Sequence, residues 1–271
     1  MPYTLHNLIT TQGGSASYDK RLSICLAADG FSFAETTPDG LLLTFGQADG
    51  RHAATMTDVA RDVKLLFSEV GLQPLAYKGM ELVVLSDESV WVPDELYTPA
   101  ANRQYLNLVG GRSLSLATCR CPAIASTAVF AAVEHVVMAF KVAMPGATVL
   151  NQHAKLVQLA PRSKAHPVLA ACWRKGRVDV AAFREGRYLF GNTLFFGNDD
   201  EAKFRLLEVV RSYGIESDST ELLLFGDVDR DRFARLRPFF PVVTLFGGNV
   251  TRFLNPDFAK FHAYRHALIL I

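Results

Sequence analysis

From Arg21 onward, apolar and polar positions alternate in short bursts cut by turn dipeptides. The run RLSICLA-ADG-FSFAETTPDG-LLLTFG holds three strand-like segments separated at Asp29-Gly30 and Asp39-Gly40, the residue pairs of tight hairpin turns. From Pro167 the pattern returns as PVLAACWRKG-RVDVAAFREG-RYLFGNTLFF, broken at Lys175-Gly176 and Glu185-Gly186. The turn glycines stand in register, with Gly30 to Gly176 and Gly40 to Gly186 both 146 positions apart. Two pairs in step between strand-like runs predict an internal duplication.

The downstream pattern agrees. Residues 57–70 repeat apolar positions at helical spacing (Val59, Val63, Leu66, Phe67, Val70), with Thr57 as predicted N-cap and Gly71 as stop. Residues 199–213 do the same through Phe204, Leu207 and Val210, with an acidic first turn and Gly214 as stop. Each helix leads into an apolar strand opened by glutamate, at 81–85 and 221–225. In the first half a helix at about 100–109 and a strand at 113–119 precede a further helix over 129–142. In the second a helix at 231–237 and a strand at 242–246 precede a helix beginning near Pro256. Meanders followed by crossover helices and parallel strands predict an α/β protein of mixed sheets with helices on both faces. Two halves are expected, 1–160 and 161–271, joined across the breaker-rich stretch from Pro145 to Pro167.

Composition narrows the partners. Hydrophobic residues make up 49% and charged residues 20% of 271, and the mean hydropathy of +0.15 fits a large core better than an exposed patch. A net charge of +1 gives no bulk field to attract nucleic acid or an anionic membrane, so no nucleic-acid partner is expected. The cysteines, Cys25, Cys119, Cys121 and Cys172, are too few and too apolar in context for a disulfide framework. The N-terminus lacks the charged and apolar regions of a signal peptide. The most apolar stretch, 123–144, would place Glu134, His135 and Lys141 at membrane depth, so no membrane insertion and a cytoplasmic location are expected.

LSICLAADGFSFA, WVPDELY and GRYLFGNTLFF with its Asp-Asp-Glu helix start resemble an uncharacterised bacterial family, domain of unknown function 3822, over about 22–240. The duplicated β-β-β-α-β-α-β unit is similar to the ridge shared by actin, the sugar kinases and the Hsp70 chaperones. The resemblance implies a duplicated actin-like (ribonuclease H-like) ATPase fold, with functional cousins in pilus assembly, type II secretion and cell division. In active members an Asp-x-Gly turn in each half holds phosphate and orients Mg²⁺, and a late Gly-Gly turn packs on adenosine. Carried over to this chain, the candidate nucleotide-binding positions are Asp29, Gly30, Lys175, Gly176, Gly226 and Asp227.

Each of these motifs is altered. Asp29-Gly30 lacks the intervening residue and is followed by Phe31; Lys175 replaces the second carboxylate; Asp227 stands where the second glycine would be. Because Mg²⁺ at phosphates needs carboxylate oxygens, the reading is a non-catalytic binding or scaffold protein with degenerate nucleotide motifs. It needs no cofactor, binds ATP or ADP at most weakly, and acts through a protein partner or self-association. The alternative is an atypical ATPase or phosphotransferase using Asp29 with Asp87 or Asp179. A nuclease would need several acids beside the first strand, where Asp29 alone qualifies.

Other constellations have plainer readings. Asp227, Asp229 and Asp231 open with calcium-loop spacing, but Arg232 and Pro238 fill the glycine and glutamate positions, which favours a helix N-cap. His262 and His266, with Ala263 between, read as a solvated pair. Cys119-Arg-Cys121 reads as a strand end before Pro122, and Arg230, Arg232, Arg235 and Arg237 as a solvated face.

Overall fold

The computed structural model describes residues 3–11, 19–113, 115–161, 163–247, 252–253 and 255–270. The first half runs β1 (Thr4–Thr10), β2 (Arg21–Ala27), β3 (Gly30–Thr36), β4 (Leu41–Asp49), α1 (Met56–Val70) and β5 (Gly79–Val84). An insertion follows, made of β6 (Ser89–Pro93), α2 (Asn102–Leu108), β7 (Leu116–Cys121) and β8 (Ser126–Ala131). The chain then resumes with α3 (Glu134–Ala143), β9 (Thr148–Asn151) and α4 (Gln152–Leu159). The second half is β10 (Val168–Arg174), β11 (Arg177–Arg184), β12 (Arg187–Phe195), α5 (Asp199–Ser212), β13 (Glu221–Gly226), α6 (Arg230–Leu236) and β14 (Val242–Leu245). The short β15 (Arg252–Phe253) and two 3-10 segments, Pro256–Lys260 and Ala263–Ile269, come last.

Two sheets share one strand order. The first is β4-β3-β2-β5-β9, extended at its outer edge by β1 and β15; the second is β12-β11-β10-β13-β14. In each, an antiparallel meander is followed by two parallel strands, which need helical crossovers to return the chain to the same edge. The insertion forms its own antiparallel sheet, β6-β8-β7.

Helix boundaries follow from local chemistry. Thr55 caps α1, accepting the Asp58 N–H at 3.2 Å, and Gly71 ends it at φ 78°, a left-handed stop that glycine adopts without Cβ strain. Asn198 caps α5 at the Glu201 N–H, with three acids in the first turn facing the helix's positive end. Asp229 caps α6 at the Arg232 N–H. Each half buries its own core, Ile24, Phe33, Val63 and Phe140 in the first and Val180, Leu206, Val210 and Leu224 in the second. A third cluster lies at the junction, where Leu156 and Val157 of α4 pack on Ala170, Phe183, Leu223 and Phe225.

Several expectations are corrected. The helix predicted over 129–142 is the end of β8 followed by α3; both are buried and apolar, and periodicity does not separate such runs. The strand predicted at 113–119 lies in the inserted sheet, and the true counterpart of β14 is β9. Both β9 and α4 fall within the stretch expected to be a bare join. The α1 cap is Thr55, not Thr57, and Phe204 is 61% exposed while Leu206 and Val209 face the core. The helix expected near Pro256 is a pair of 3-10 segments, and His266 stacks on Phe261 with centroids 5.2 Å apart instead of facing solvent.

Candidate functional site

Asp29-Gly30 lies at the β2–β3 tip and Lys175-Gly176 at the β10–β11 tip, but the two glycines are not geometric equivalents. The first tip closes on the pair Ala27↔Gly30, so its loop is Ala28-Asp29; the second closes on Arg174↔Arg177, so its loop is Lys175-Gly176. Gly30 opens a strand at φ 148°, with a Cβ position that runs into the Ala48 carbonyl oxygen; Gly176 sits in its loop at φ 70°, where a Cβ would meet only the Phe196 carbonyl oxygen at an ordinary 3.8 Å. The Asp29 side chain is exposed, and among the described residues it makes no hydrogen bond or ion pair.

Gly226 and Asp227 come to the same end of their sheet as Lys175-Gly176. Gly226 at φ 75° would drive a Cβ into the Trp173 carbonyl, and the Asp227 N–H donates to that carbonyl at 3.0 Å. Close approach of two backbones therefore accounts for this glycine. The Asp227 carboxylate faces the Arg232 guanidinium at 3.6 Å.

Polar chemistry concentrates between the halves, beside these tips. Asp179 on β11 is fully buried and takes two bonds from Arg174, Nε to Oδ2 at 2.5 Å and Nη2 to Oδ1 at 2.8 Å. The Thr193 hydroxyl donates to Asp179 Oδ1 at 2.6 Å, and Gln152 Nε2 reaches the same oxygen at 3.4 Å. Gln152 opens α4 and also clasps the first half, accepting the Ser86 N–H at 3.0 Å and donating to the Ser86 carbonyl. His153 Nε2 lies 3.1 Å from the Thr193 hydroxyl. That hydroxyl is committed to Asp179, so the imidazole donates and Nε2 carries the proton. Asp87, after β5, pairs with Arg177 and, at 3.6 Å, with Arg174. One arginine thus spans a buried carboxylate of the second half and an exposed one of the first.

The charge states follow. Burial pushes Asp179 up, but the bonds from Arg174 and Thr193 and the charge of the Arg174 guanidinium outweigh it and hold the carboxyl below its ordinary value. Burial pushes His153 down and keeps it neutral. A second buried pair, Lys155 Nζ to Glu81 Oε2 at 2.6 Å, ties α4 to β5. The thiols of Cys25 and Cys119 are pushed up by burial, to about 12 and about 11, which leaves them protonated and unreactive.

The carboxylates at and beside the tips are mostly engaged. Asp179 and Asp87 are neutralised by arginines, Asp227 faces Arg232, and Asp29 stands apart. Among the described residues no three His, Cys, Asp or Glu side chains are placed to hold a metal ion. Sequence reasoning named Asp179 and Asp87 as candidate carboxylates but missed Arg174, Gln152 and His153. The available signal was an aspartate inside the apolar run RVDVAAF, which in a buried strand demands a cation.

Residues 13–243 match the family model described as "Protein of unknown function (DUF3822)". The chain belongs to this family. Among solved structures the DUF3822 chain is similar to a Bacteroides thetaiotaomicron VPI-5482 protein with an actin-like ATPase fold and unknown function. The two share 18% identity at a TM-score of 0.66, over 89% of this chain and 93% of the other. It is also similar to a chain of the PilM-PilN type IV pilus biogenesis complex, with 12% identity, a TM-score of 0.57 and coverage of 92% and 98%. At such identities the likeness establishes the actin-like fold. No curated protein matches the DUF3822 chain in sequence. No helix among its described residues is long and apolar enough to cross a membrane.

Proposed function

We propose that this DUF3822 protein is a non-catalytic binding or scaffold protein on an actin-like frame, its halves held together by side chains instead of by a bound nucleotide. The observation that carries the reading is Arg174. Its guanidinium bridges Asp179 and Asp87 beside the Lys175-Gly176 tip, one of the positions to which the resemblance carries phosphate. The buried bidentate pair commits the Asp179 carboxylate to Arg174, and Asp87 is shared between Arg174 and Arg177, so both acids are engaged where Mg²⁺ would need free carboxylate oxygens. The similar PilM chain is solved in complex with PilN, which supports a role exercised through a protein partner.

The rival, an ATPase or phosphotransferase using Asp29 with Asp87 or Asp179, is disfavoured because both partner acids are already paired. Thermal unfolding with Mg-ATP or Mg-ADP, alongside an ATP turnover assay, tests the reading. A ligand at 100 times its Kd stabilises by about 2.7 kcal/mol. The expected outcome is no shift of that size and no turnover above buffer. Metal-dependent turnover abolished by Asp29→Asn would move the protein into the enzyme class.

A further inference from the structure

A groove of about 640 Å³ opens between the insertion and the second half, lined by residues 87–91, 109–111, 188–193 and 195. A strand that shows its face to a groove contributes every second residue. Here 89–91 of β6 and 188–193 of β12 line it without a break, so the walls are strand edges. β6 is the outer strand of its sheet and β12 the outer strand of the other. Neither edge is paired among the described residues.

The ladder shows which backbone groups point into the opening. Ala131 N–H donates to the Glu88 carbonyl, and Asp94 N–H to the Ala125 carbonyl, both at 2.9 Å. With the register Val90↔Val129 and Val92↔Thr127, the even-numbered residues of β6 bond to β8. By the alternation of an antiparallel pair, Ser89 and Trp91 turn their N–H and C=O outward. Phe196 N–H donates to the Gly176 carbonyl at 3.1 Å, so Gly191, Thr193 and Phe195 of β12 turn theirs outward by the same rule. Thr193 alone has its N–H taken, by Asn192 Oδ1 at 2.8 Å.

We infer that this slot binds an extended segment of about five residues from a partner protein, which adds as a strand to β6 or β12. Unpaired edges supply the main-chain bonds of strand addition, and pockets for alternate side chains supply selectivity. The apolar surface is present, with Val109 and Phe195 both 54% exposed and Trp91, Tyr188 and Phe190 beside them. The charged residues lining the groove are Asp87 and Glu88. Asp87 is matched by arginines, whereas among the described residues the Glu88 carboxylate accepts only the backbone N–H groups of Arg112 and Ser113, at 3.0 Å each. The segment that fits therefore alternates apolar residues and carries Lys or Arg at the Glu88 end. Across the groove Trp91 of β6 and Tyr188 of β12 stand edge to face, with ring centroids 6.1 Å apart.

The inference names the partner class for the binding role proposed above and rests on that role. The probe is a phage-displayed random dodecapeptide library selected on the immobilised full chain, followed by anisotropy of the enriched peptide carrying a fluorophore. Enriched sequences are expected to alternate apolar residues with a basic residue at one end. Ser89→Pro, which removes an outward N–H without touching the β8 ladder, and Phe195→Asp should each weaken binding at least tenfold. Glu88→Gln should weaken the basic peptide and flatten its salt dependence. Phe204→Asp, a change at an exposed phenylalanine outside the groove lining, should leave binding unchanged, and the melting temperature of each variant checks that it folds. No enrichment over bare support, or equal binding by all four variants, overturns the inference. ATP turnover measured on the same preparation keeps the two readings apart, since turnover with peptide binding intact would remove only the non-catalytic assignment.

Discussion

Cys25 sits opposite Ser32 across β2 and β3, and Cys172 sits opposite Asp179 across β10 and β11. Counted from the pair that closes each tip, these are the same place in the two halves, as are Ala27 and Arg174. The first meander puts a serine and an alanine there; the second puts a buried carboxylate and the guanidinium that neutralises it. Duplication preserved the strand order and let the polar content diverge. An ion pair fixed on one side, with Asp87 and Gln152 reaching it from the other, turns an opening between lobes into a fastened joint.

The sharpest way to break this comparison is Arg174→Met. It leaves Asp179 buried without a cation, a loss of about 3–5 kcal/mol that lowers the melting temperature by roughly 10 °C. Adding Asp179→Leu should restore much of it, because a well-packed apolar pair often replaces a buried ion pair at little cost. A double mutant as unstable as Arg174→Met alone would mean that the guanidinium acts through packing and not through Asp179.

The tips themselves separate next. Gly30→Ala places a methyl against the Ala48 carbonyl at a positive φ and should cost about 3 kcal/mol, whereas Gly176→Ala, strained in φ but without a steric clash, should cost about 1 kcal/mol. Equal midpoints in urea would show that the tips are alike after all.

Acid titration sharpens the contrast between the joint and the rest of the fold. Burial lowers His266 to about 4 from an ordinary value near 6.5. Between those values the unfolded chain binds a proton that the folded one does not, so stability falls as pH drops from about 6.5 to 4, by about 2 kcal/mol after allowing for partial exposure. His153 is shifted in the same direction and adds to the slope. Asp179 behaves otherwise. Its depressed pKa gives a contribution fully present above its ordinary value near 3.9 and lost as pH falls through the folded value. Chemical denaturation from pH 7 to 4 with His266→Phe should show a shallower decline; an unchanged slope would assign it to other groups. The smallest effect belongs to Asp29→Asn, within about 0.5 kcal/mol of the parent, because this exposed carboxylate has no partner among the described residues.

Much of the frame was legible in the sequence because its signals are local. Turn dipeptides placed the four hairpin turns of the two meanders, glycine stops ended α1 and α5, and Glu221 opened β13, whereas β5 begins two residues before Glu81, at Gly79. The insertion hid in plain view: Leu116–Cys121 reads as a strand whether it joins the main sheet or its own, and pairing is a long-range fact. β9 and α4 were lost among Pro145, Gly146 and Pro161, since Asn151-Gln152-His153 is a polar start to a helix that buries them all. The same three residues explain why the candidate site was only half read. Superfamily motifs directed attention to the tips, while the chemistry had moved to the strand interior and the head of the connecting helix, where no motif describes it.

One contact carries a consequence for how the chain is made. Ile269 and Leu270 are buried in the same cluster as Ala34, Leu42 and Phe45, so part of the first sheet is covered by residues synthesised after the strands of the second half. A nascent first half emerging from the ribosome exposes that apolar face until the whole second half has been translated, roughly 5–20 s at ordinary elongation rates. Assembly is then a closure that waits for the second half, not the docking of two finished lobes, and during that interval holdase chaperones have a defined surface to cover.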